Sequence, residues 1–528
     1  MRRVVIIPTA KNLLVSSATG DLPPIIQPVN NNMVIDEVMR CYGNADYRLV
    51  CYDSLEKVVS TLSGYDVQII PMDEIKDLSM TISKGIVDGD TEVIINYGDT
   101  IVWDLIPSGG DWIFYSKGVP SNKWTFFKEK NGRITDIYDK VINPQSDSLF
   151  VGVFGISDAM KLKEIMAEHT QWSFYDLLAE YSKGHPFVFI EASSWYDVGH
   201  IDTYRNTKMM VQSRSFNEMT LDRDRGIMTK ASSDPIKFKG EIEWFLKLPS
   251  GLTFCCPRIF GYSLDYDKPW VSMEYYPYHT LHELFLFGDM PYEKWSIVFR
   301  RIAFLLEEFS RYRVNDRKAI TSALNEIYIE KTRSRMGKMA SMTSLALFMD
   351  NPVTVNGVRY VSINRLWEKV KKEVELKLLG VDYFTIIHGD LCFPNMLIDD
   401  DLNLIRLIDP RGRFGCFDIY GDPRYDYAKL LHSVEGGYDY IIKDLFTVEC
   451  EGSSIRFRSN MKRSSAYDAF MDVVSYRIED MDSVRLIEGL LFLTMIPLHK
   501  ESPKRNHAML ATAYLIFDGI MDIREDDR

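Results

Sequence analysis

Three polar residues in the second half of the chain have the types and the spacing that phosphoryl transfer needs. Asp390 and Asn395 follow the apolar pair Ile386-Ile387, and Asp409 ends a second apolar run at residues 404–408. Phosphoryl transfer requires a carboxylate that orients the attacking hydroxyl and accepts its proton, and oxygen ligands that hold magnesium on the nucleotide phosphates. The three side chains together can fill these roles.

A loop followed by a β-hairpin would bring these three residues together. The five-residue spacing between Asp390 and Asn395 fits a catalytic loop, and residues 404–408 fit the second strand of the hairpin. The sequence Asp399-Asp400-Asp401-Leu402-Asn403 between the strands is typical of a turn. The pattern therefore predicts that Asp409 stands at the end of the second strand, beside the loop.

A second candidate site lies in the first part of the chain. Asp99 comes after the apolar run Val93-Ile94-Ile95, and Asp197 lies in Trp195-Tyr196-Asp197-Val198-Gly199-His200. Two carboxylates at strand ends along one edge of a parallel sheet can share a magnesium ion on a nucleoside triphosphate. Asp99 alone could equally be a turn residue, but its pairing with Asp197 and the following glycine favours a metal site.

The elements that would position this carboxylate pair form an α/β pattern over residues 1 to about 205. Short β-rich runs alternate with amphipathic helical stretches, which is typical of a largely parallel sheet with covering helices. The predicted strands are residues 4–7, 47–52, 67–71, 92–96, 112–115, 149–156 and 187–190, and helices are predicted at 34–41 and 157–168.

The pattern changes at about residue 215. A short β-rich region ends near residue 275, and long helical segments follow, including 292–312, 363–379 and 467–476. A small β-rich lobe followed by a larger helical lobe is the pattern of a two-lobed kinase. We therefore predict an α/β domain at 1–210 and an α+β domain at 211–528, divided into lobes at about 211–275 and 276–528.

Composition limits the classes of partner and location. The chain has 528 residues, of which 46% are hydrophobic, and this length is too great for a single hydrophobic core. Its net charge of −13 argues against broad binding to nucleic acid or anionic membranes, but it allows a local nucleotide pocket. The seven cysteines lack zinc-site spacing, and no apolar stretch is long enough to cross a bilayer. We expect a cytoplasmic protein that binds small-molecule substrates and nucleotides.

The sequence His388-Gly389-Asp390, together with Asn395 and Ile408-Asp409, resembles the aminoglycoside phosphotransferase and choline kinase superfamily, which has the protein-kinase fold. The resemblance covers roughly residues 215–528. It implies that Asp390 is the catalytic base, that Asn395 and Asp409 bind Mg2+, and that ATP is the phosphoryl donor. It also implies that Lys230 contacts the α- and β-phosphates while Glu241 holds its ammonium; without the resemblance these two would be a solvated pair.

The segments around Asp99 and Asp197 are similar to those of sugar-nucleotide pyrophosphorylases, a nucleotidyltransferase family with a Rossmann-like domain. The resemblance implies that both aspartates hold the metal and that Lys140 contacts the phosphate of a sugar or alcohol. The loop at residues 8–20 departs from the family, because it has one glycine and Pro24 stands where a lysine is expected. Lys11 could substitute in part for the missing cation.

Together the two resemblances imply a bifunctional enzyme of bacterial capsule biosynthesis. It would phosphorylate a sugar or an amino alcohol with ATP and couple the phosphate to a second nucleotide, from CTP or another triphosphate. The alternative is an active kinase whose first domain is a degenerate binding module.

The acceptor is left open at this stage. The aromatic residues Trp270, Tyr275, Tyr276 and Phe414 could cage a quaternary ammonium or simply pack the kinase lobes. Arg411 and Arg413 could bind an anionic acceptor or brace their loop.

Overall fold

The computed structural model describes residues 2–9, 14–16, 19–29, 31–52, 58, 61–62, 64–73, 77–118, 121–211, 217–232, 234–265, 268–461 and 465–525. They divide into two compact units. The first contains residues 1–212 and 287–289, and the second contains residues 213–286 and 290–528. The mixed α/β class predicted from the sequence is confirmed by the sheets and helices of both units.

The first unit is built on a sheet of apolar strands. Val5, Ile6 and Ile7 are fully buried in the central strand, as expected for a parallel strand with both faces covered. Parallel pairings join this strand to neighbours on both sides. In spatial order the main path is Arg133–Asp139, Thr125–Lys130, Ser148–Ile156, Val93–Asn96, Arg3–Pro8, Ala45–Tyr52 and Val67–Met72, with Trp112–Lys117 and Val188–Glu191 attached beside Ser148–Ile156.

The half of this sheet beyond Val93–Asn96 is mostly antiparallel, which differs from the largely parallel sheet predicted. The cause is the strand Ser148–Ile156, which runs antiparallel to Val93–Asn96 and to its other partners. A hairpin between Thr125–Lys130 and Arg133–Asp139, which was not predicted, extends this half. Asn131 and Gly132 form its turn with φ angles of 53° and 78°, the positive values that a tight hairpin needs. The predicted strands and helices that lie in this unit are all present, with ends shifted by one to two residues.

The rest of the first unit consists of short strands and covering helices. Thr100–Val102 pairs antiparallel with Trp195–Asp197. Asp77, Asp158 and Ser173 each cap a helix by accepting a hydrogen bond from a backbone N–H in its first turn. The helices are Val34–Tyr42, Leu78–Gly85, Ala159–Glu168, Phe174–Gly184 and Ile201–Val211; the remaining short elements are Leu14–Ser16, Gly20–Leu22, Pro24–Ile26, Pro28–Val29 and Asn32–Met33.

The second unit opens with an antiparallel sheet and one long helix. The sheet runs Asn217–Asp222, Ile227–Ser232, Trp270–Glu274 and Ile259–Ser263 in spatial order. The helix Pro235–Lys247 begins after Asp234, whose side chain accepts a hydrogen bond from the Lys237 backbone N–H. A 3-10 segment follows at Ser250–Cys255.

The remainder of the second unit is mainly helical, and several of its helices are buried on most sides. Its helices are Leu281–Leu286, Tyr292–Ser310, Arg317–Leu324, Lys331–Ala340, Ala346–Asp350, Ile363–Lys377, Pro423–Val434, Tyr438–Ile442, Ser465–Val473, Met481–Met495 and Pro503–Asp518. A π-helical turn, Asn325–Glu330, joins the third of these to the fourth, and 3-10 turns lie at Phe393–Asn395, Ser475–Arg477 and Ile496–His499.

Three small sheets complete this unit. One contains His279–Thr280, Met396–Ile398 and Ile405–Leu407, another contains Arg313–Val314, Phe384–Ile386 and Tyr420–Gly421, and the last contains Val353–Val355, Val358–Tyr360, Phe446–Glu451 and Ser454–Ser459. The last sheet was not predicted, although Asn356-Gly357 is a hairpin signal. Within the described ranges, the helices are all too short or too polar to span a bilayer.

Candidate active sites

The predicted catalytic loop lies between the strand Phe384–Ile386 and the hairpin Met396–Ile398/Ile405–Leu407. Asn395 Nδ2 donates to the backbone oxygen of Asp390 at 2.9 Å and to its Oδ2 at 3.1 Å. The predicted second strand is present, and the backbone N–H of Ile408 donates to the Asn395 carbonyl at 3.0 Å. The hairpin therefore brings the Asp409 segment beside the loop, as the spacing predicts.

Two buried residues hold this loop in place. The carboxylate of Asp426 accepts hydrogen bonds from the backbone N–H groups of His388 and Gly389, at 2.7 and 2.9 Å. His388 Nε2 lies 3.1 Å from the Ile408 carbonyl and must donate to it, since a carbonyl only accepts. Burial lowers the pKa of His388 to about 4, so its ring is neutral. His388 thus ties the loop to the Asp409 strand rather than exchanging protons.

Asp390 has a cationic partner on a separate helix, which sequence reasoning missed. Lys429, in Pro423–Val434, is buried, and its Nζ lies 2.8 Å from Asp390 Oδ1. Loss of water contact would raise the pKa of Asp390, but the ammonium of Lys429 outweighs it, and the pKa falls to about 2. The carboxylate remains 41% exposed, so an acceptor hydroxyl can reach it.

Lys230, Glu241 and Asp409 meet in one cluster. Lys230 Nζ is 2.7 Å from Glu241 Oε1 and 2.8 Å from Asp409 Oδ1. Burial would lower the pKa of Lys230, but the two carboxylates reverse this and raise it, so the ammonium stays charged. Burial and the nearby Asp409 raise the pKa of Glu241. The predicted lysine–glutamate pair is therefore buried and extended by Asp409.

A close backbone contact sets the distance between the Glu241 helix and the Asp409 loop. Asp409 has a φ of 55° and Gly412 has a φ of 67°, so the chain turns sharply after the strand. A Cβ atom on Gly412 would lie 2.0 Å from the backbone oxygen of Gly240, which is adjacent to Glu241. Only a glycine allows this approach, and the approach keeps Glu241 within reach of Lys230.

The oxygen atoms of Asn395 and Asp409 suit a hard cation such as Mg2+, which takes few protein ligands and keeps oxygens from phosphates and water. Among the described residues, no group of three or more His, Cys, Asp and Glu side chains is arranged to hold a metal. A cation here would therefore depend on oxygens of a nucleotide in addition to these two side chains.

The carboxylates of Asp99 and Asp197 also come together. A Cβ atom on Gly199 would lie 2.7 Å from Asp99 Oδ2 and 3.2 Å from Asp197 Oδ1, so both face the same point. The antiparallel pair Thr100–Val102 and Trp195–Asp197 aligns them, and the Val198 N–H donates to the Asp99 carbonyl at 2.8 Å. Burial and the charge of Asp197 raise the pKa of Asp99 to about 6.

Asp197 is held in place by several hydrogen-bond donors. It accepts hydrogen bonds from the Gly199 N–H at 3.0 Å and the Thr203 hydroxyl at 2.6 Å, and His200 Nδ1 lies 3.0 Å away. The hydrogen bond to Asp197 raises the pKa of His200. His200 and Thr203 were not singled out from the sequence, although both lie within six residues of Asp197.

The pair lies next to the end of the first strand. The Gly98 N–H donates to the Pro8 carbonyl at 3.2 Å, and a Cβ atom on Gly98 would lie 2.7 Å from the Thr9 hydroxyl. This is where the predicted triphosphate loop begins. Lys11, the cation predicted for that loop, lies outside the described residues.

The structure does not bring every predicted residue to its site. Lys140 is exposed in a turn with a φ of 53°, and no contact joins it to Asp99 or Asp197. The four aromatic residues do not form a cage in the second unit. Phe414 is fully buried against Tyr425 and neighbouring rings, while the Tyr276 ring lies under the Arg406 guanidinium.

The chain matches no family model and no curated protein. Solved structures similar to it fall into the two groups that the sequence indicated. A nucleoside-diphosphate-sugar pyrophosphorylase from Vibrio cholerae is 14% identical, with a TM-score of 0.33, and the match covers 39% of this chain and 99% of that one.

The second group contains phosphotransferases. An aminoglycoside-3'-phosphotransferase of type VIII is 15% identical, with a TM-score of 0.34, over 54% of this chain and 92% of that one. A thermostable mutant of the aminoglycoside phosphotransferase APH(4)-Ia is 12% identical, with a TM-score of 0.36, over 58% and 93%. A similarity at this level does not transfer an activity, so the function must be argued from the two sites.

Proposed function

We propose that the domain at 211–528 is an ATP-dependent phosphotransferase that acts on a small hydroxylated metabolite. The observation that carries this proposal is the cluster in which Lys230 Nζ lies within 2.8 Å of both Glu241 and Asp409. A buried, charged lysine beside a carboxylate that can ligate a metal is the arrangement that positions nucleotide phosphates. Asp390 and Asn395, joined at 3.1 Å, supply the second half of such a site.

In the proposed reaction, Asp390 accepts a hydrogen bond from the acceptor hydroxyl and holds its oxygen in line with the γ-phosphorus of ATP. The oxygen forms a bond to the phosphorus, and its proton passes to the Asp390 carboxylate. The bond between the γ-phosphorus and the bridging oxygen breaks, and ADP leaves. Lys429 keeps Asp390 ionised and Asn395 fixes its orientation, so the carboxylate is ready before the acceptor binds.

Asn395 and Asp409 would hold Mg2+ in this site. When bound with ATP, Mg2+ would offset the negative charge on the β- and γ-phosphates. Lys230 would hold the α- and β-phosphates, and Glu241 would keep its ammonium in place.

We further propose that the domain at 1–210 transfers a nucleoside monophosphate from CTP or another triphosphate to the phosphorylated acceptor, releasing pyrophosphate. The convergence of the Asp99 and Asp197 carboxylates on one point supports a shared Mg2+. Lys11 would contact the triphosphate. The product would be an NDP-activated precursor for a surface polysaccharide, made in the cytoplasm.

The test measures ADP and pyrophosphate release separately on the full chain. Asp390→Ala should abolish acceptor-dependent ADP release and spare pyrophosphate release from a supplied phosphorylated acceptor and nucleoside triphosphate. Asp99→Ala and Asp197→Ala should do the reverse. Circular dichroism would establish that each variant is folded.

Three results would change the proposal. If a folded single variant lost both activities, the two sites would not be independent. If the wild-type protein released ADP but no pyrophosphate with ATP, CTP, GTP or UTP across a panel of phosphates, the first domain would be a degenerate binding module. If it released no ADP with any acceptor, the kinase proposal would be wrong.

A further inference from the structure

Two cationic side chains, Lys429 and Arg411, act on Asp390, and two more, Lys331 and Arg335, lie beside them. Lys331 and Arg335 lie one turn apart on the helix Lys331–Ala340, Arg411 follows the Asp409 strand, and Lys429 comes from Pro423–Val434. We call these four residues the basic cluster. Tyr425 raises the pKa of Lys331, but burial and the charges of Arg411, Lys429 and Arg335 together lower it to about 8. Such a concentration of positive charge is notable in a chain with a net charge of −13.

The carboxylates near the basic cluster leave much of its charge unbalanced. Asp390 is engaged by Lys429 at 2.8 Å, and Asp426 accepts the two backbone N–H groups of the catalytic loop. Lys331 and Arg335 are half-buried, and among the described residues neither forms an ion pair with a carboxylate; the interaction that most favours the charge of Lys331 is with Tyr425. Half-buried cations without a carboxylate partner destabilise a fold unless a ligand completes them.

Arg411 is positioned but not neutralised. Its Nη1 donates to the Tyr425 hydroxyl at 2.8 Å, and its guanidinium lies 5.4 Å from the centre of the Tyr425 ring. Its backbone N–H donates to the His388 carbonyl at 3.0 Å, which places it against the catalytic loop. Although burial would raise the pKa of Tyr425, the nearby Lys331, Arg411 and Lys429 lower it. The cluster therefore exerts a strong positive potential at this point.

The helix that carries Lys331 and Arg335 has a special backbone. The π-helical turn Asn325–Glu330 ends at the residue before Lys331. A π-turn adds a residue to one turn and so changes the direction in which the following side chains point, and such turns are frequent at functional sites. Here the turn determines the face on which Lys331 and Arg335 lie.

The two oxygens of Asp390 have different partners. Asn395, which would ligate the metal, donates to Oδ2, whereas Lys429 of the basic cluster lies on Oδ1. The phosphates of ATP would already have a cation in Lys230, which pairs with Glu241 and Asp409. The basic cluster is thus available to the molecule whose hydroxyl approaches Asp390.

We propose that the phosphoryl acceptor is an anion, whose carboxylate or phosphate group is bound by Lys331, Arg335 and Arg411 while its hydroxyl meets Asp390. This inference rests on the proposed kinase function and narrows its substrate class to hydroxylated acids, such as sugar acids, and phosphorylated sugars or polyols. Guanidinium and ammonium groups bind both kinds of oxyanion through charge-assisted hydrogen bonds. Choline, ethanolamine and other cationic amino alcohols would be repelled.

The test compares acceptors that differ in charge on the full chain with ATP and Mg2+. The panel contains D-sorbitol as the neutral compound, D-gluconate as the carboxylate, D-sorbitol 6-phosphate as the phosphate, and choline as the cation. We expect kcat/KM for gluconate or sorbitol 6-phosphate to exceed that for sorbitol at least ten-fold, with choline inactive. Comparing gluconate with sorbitol 6-phosphate shows whether the site prefers a carboxylate or a phosphate group. A preference for sorbitol or choline would overturn the proposal.

Variants then assign the effect to the cluster. Lys331→Met and Arg335→Met should each raise KM for the anionic acceptor about ten-fold or more, and by more than they raise KM for ATP. Lys338→Met, an exposed lysine of the same helix, is the matched control and should leave every KM unchanged. Equal effects of the control and of the two cluster variants would contradict the assignment.

A binding measurement keeps the two proposals distinguishable. Thermal unfolding is followed with gluconate, sorbitol 6-phosphate or sorbitol, for the wild type and for the double variant Lys331→Met/Arg335→Met. Stabilisation of the wild type alone, by an anion but not by sorbitol, supports the anion site even if no phosphorylation occurs and the kinase proposal fails. The anion-site proposal is overturned if anions cause neither specific stabilisation nor preferred turnover. That holds even if Asp390-dependent ADP release shows that the kinase is active.

Discussion

Lys429 Nζ and Asp390 Oδ1 lie 2.8 Å apart, and this ion pair joins the proposed catalytic base to a helix that follows it in the chain. The lysine is buried and the carboxylate is partly exposed, so one partner is structural and the other is accessible. An ammonium at this position favours the ionised carboxylate. Lys429 therefore acts as a positioning residue for Asp390.

Replacing Lys429 should move the acid limb of the kinase pH profile upward. In the wild type the pKa of Asp390 is about 2, so its protonation should not limit kcat/KM where the protein is folded. In Lys429→Met the carboxyl loses its partner while its partial burial persists, so its pKa should rise above the usual value of about 4. Phosphorylation should then decline as the pH falls through about 6 to 5.

Lys429→Arg is the control, because it keeps the charge and should keep the wild-type profile. Rates would be measured between pH 5 and 9, with circular dichroism at each pH. An unchanged acid limb in a folded Lys429→Met protein would show that the ion pair does not control Asp390.

Lys230→Met should impair the kinase by about 100-fold in kcat/KM for ATP, because it removes a buried charge aimed at the phosphates. Glu241→Gln should have a smaller effect, since it keeps a hydrogen-bond acceptor for Lys230. Lys239→Met changes an exposed lysine of the helix that carries Glu241 and should have no effect. Steady-state kinetics with varied ATP would test this, and a loss in Lys239→Met equal to that in Lys230→Met would contradict it.

Gly412→Ala should destabilise the protein and raise KM for ATP. Its φ of 67° costs an alanine about 1 kcal/mol, and its Cβ would overlap the Gly240 oxygen at 2.0 Å, which adds roughly 1–3 kcal/mol or shifts the loop. Gly357→Ala is the matched control, because Gly357 also has a positive φ but nothing lies within 4 Å of its Cβ position. Urea unfolding should show the larger loss for Gly412→Ala; equal losses would mean that the backbone contact is not tight.

Asp99→Asn should raise the melting temperature at pH 8 while abolishing pyrophosphate release. The pKa of Asp99 is raised to about 6, so the folded state binds a proton more tightly than the unfolded state does. Stability contributed by this group is present at low pH and is lost as the pH rises through about 4 to 6. The neutral asparagine avoids that loss, so its advantage should shrink at pH 4.5.

Asp104→Asn provides a control of opposite sign. Asp104 accepts hydrogen bonds from Ser193 and Ser194, and although its partial burial opposes them, these bonds lower its pKa. This substitution should therefore lower the melting temperature at pH 8. Both measurements use EDTA so that no cation masks the repulsion between Asp99 and Asp197. If Asp99→Asn destabilised the protein equally at both pH values, the raised pKa would be wrong.

Much of the fold follows from local patterns. Buried parallel strands such as Arg3–Pro8 carry continuous apolar runs because both faces are covered, and these runs are visible without a structure. The strands of the hairpin Thr125–Lys130/Arg133–Asp139 are more polar and partly exposed, so the runs did not reveal them. Their Asn131-Gly132 turn was the available signal.

The sequence by itself determined which residues could do the chemistry: Asp390, Asn395 and Asp409 stand out because polar side chains interrupt apolar strands at a spacing that one hairpin can close. Only the tertiary structure decided which cations reach them. Lys429, Lys331 and Arg335 lie on helices whose sequences would look the same if these side chains faced solvent. The approach of Lys429 to Asp390, and of Lys331 and Arg335 to Arg411, depends on how distant helices pack, and no local spacing encodes that packing.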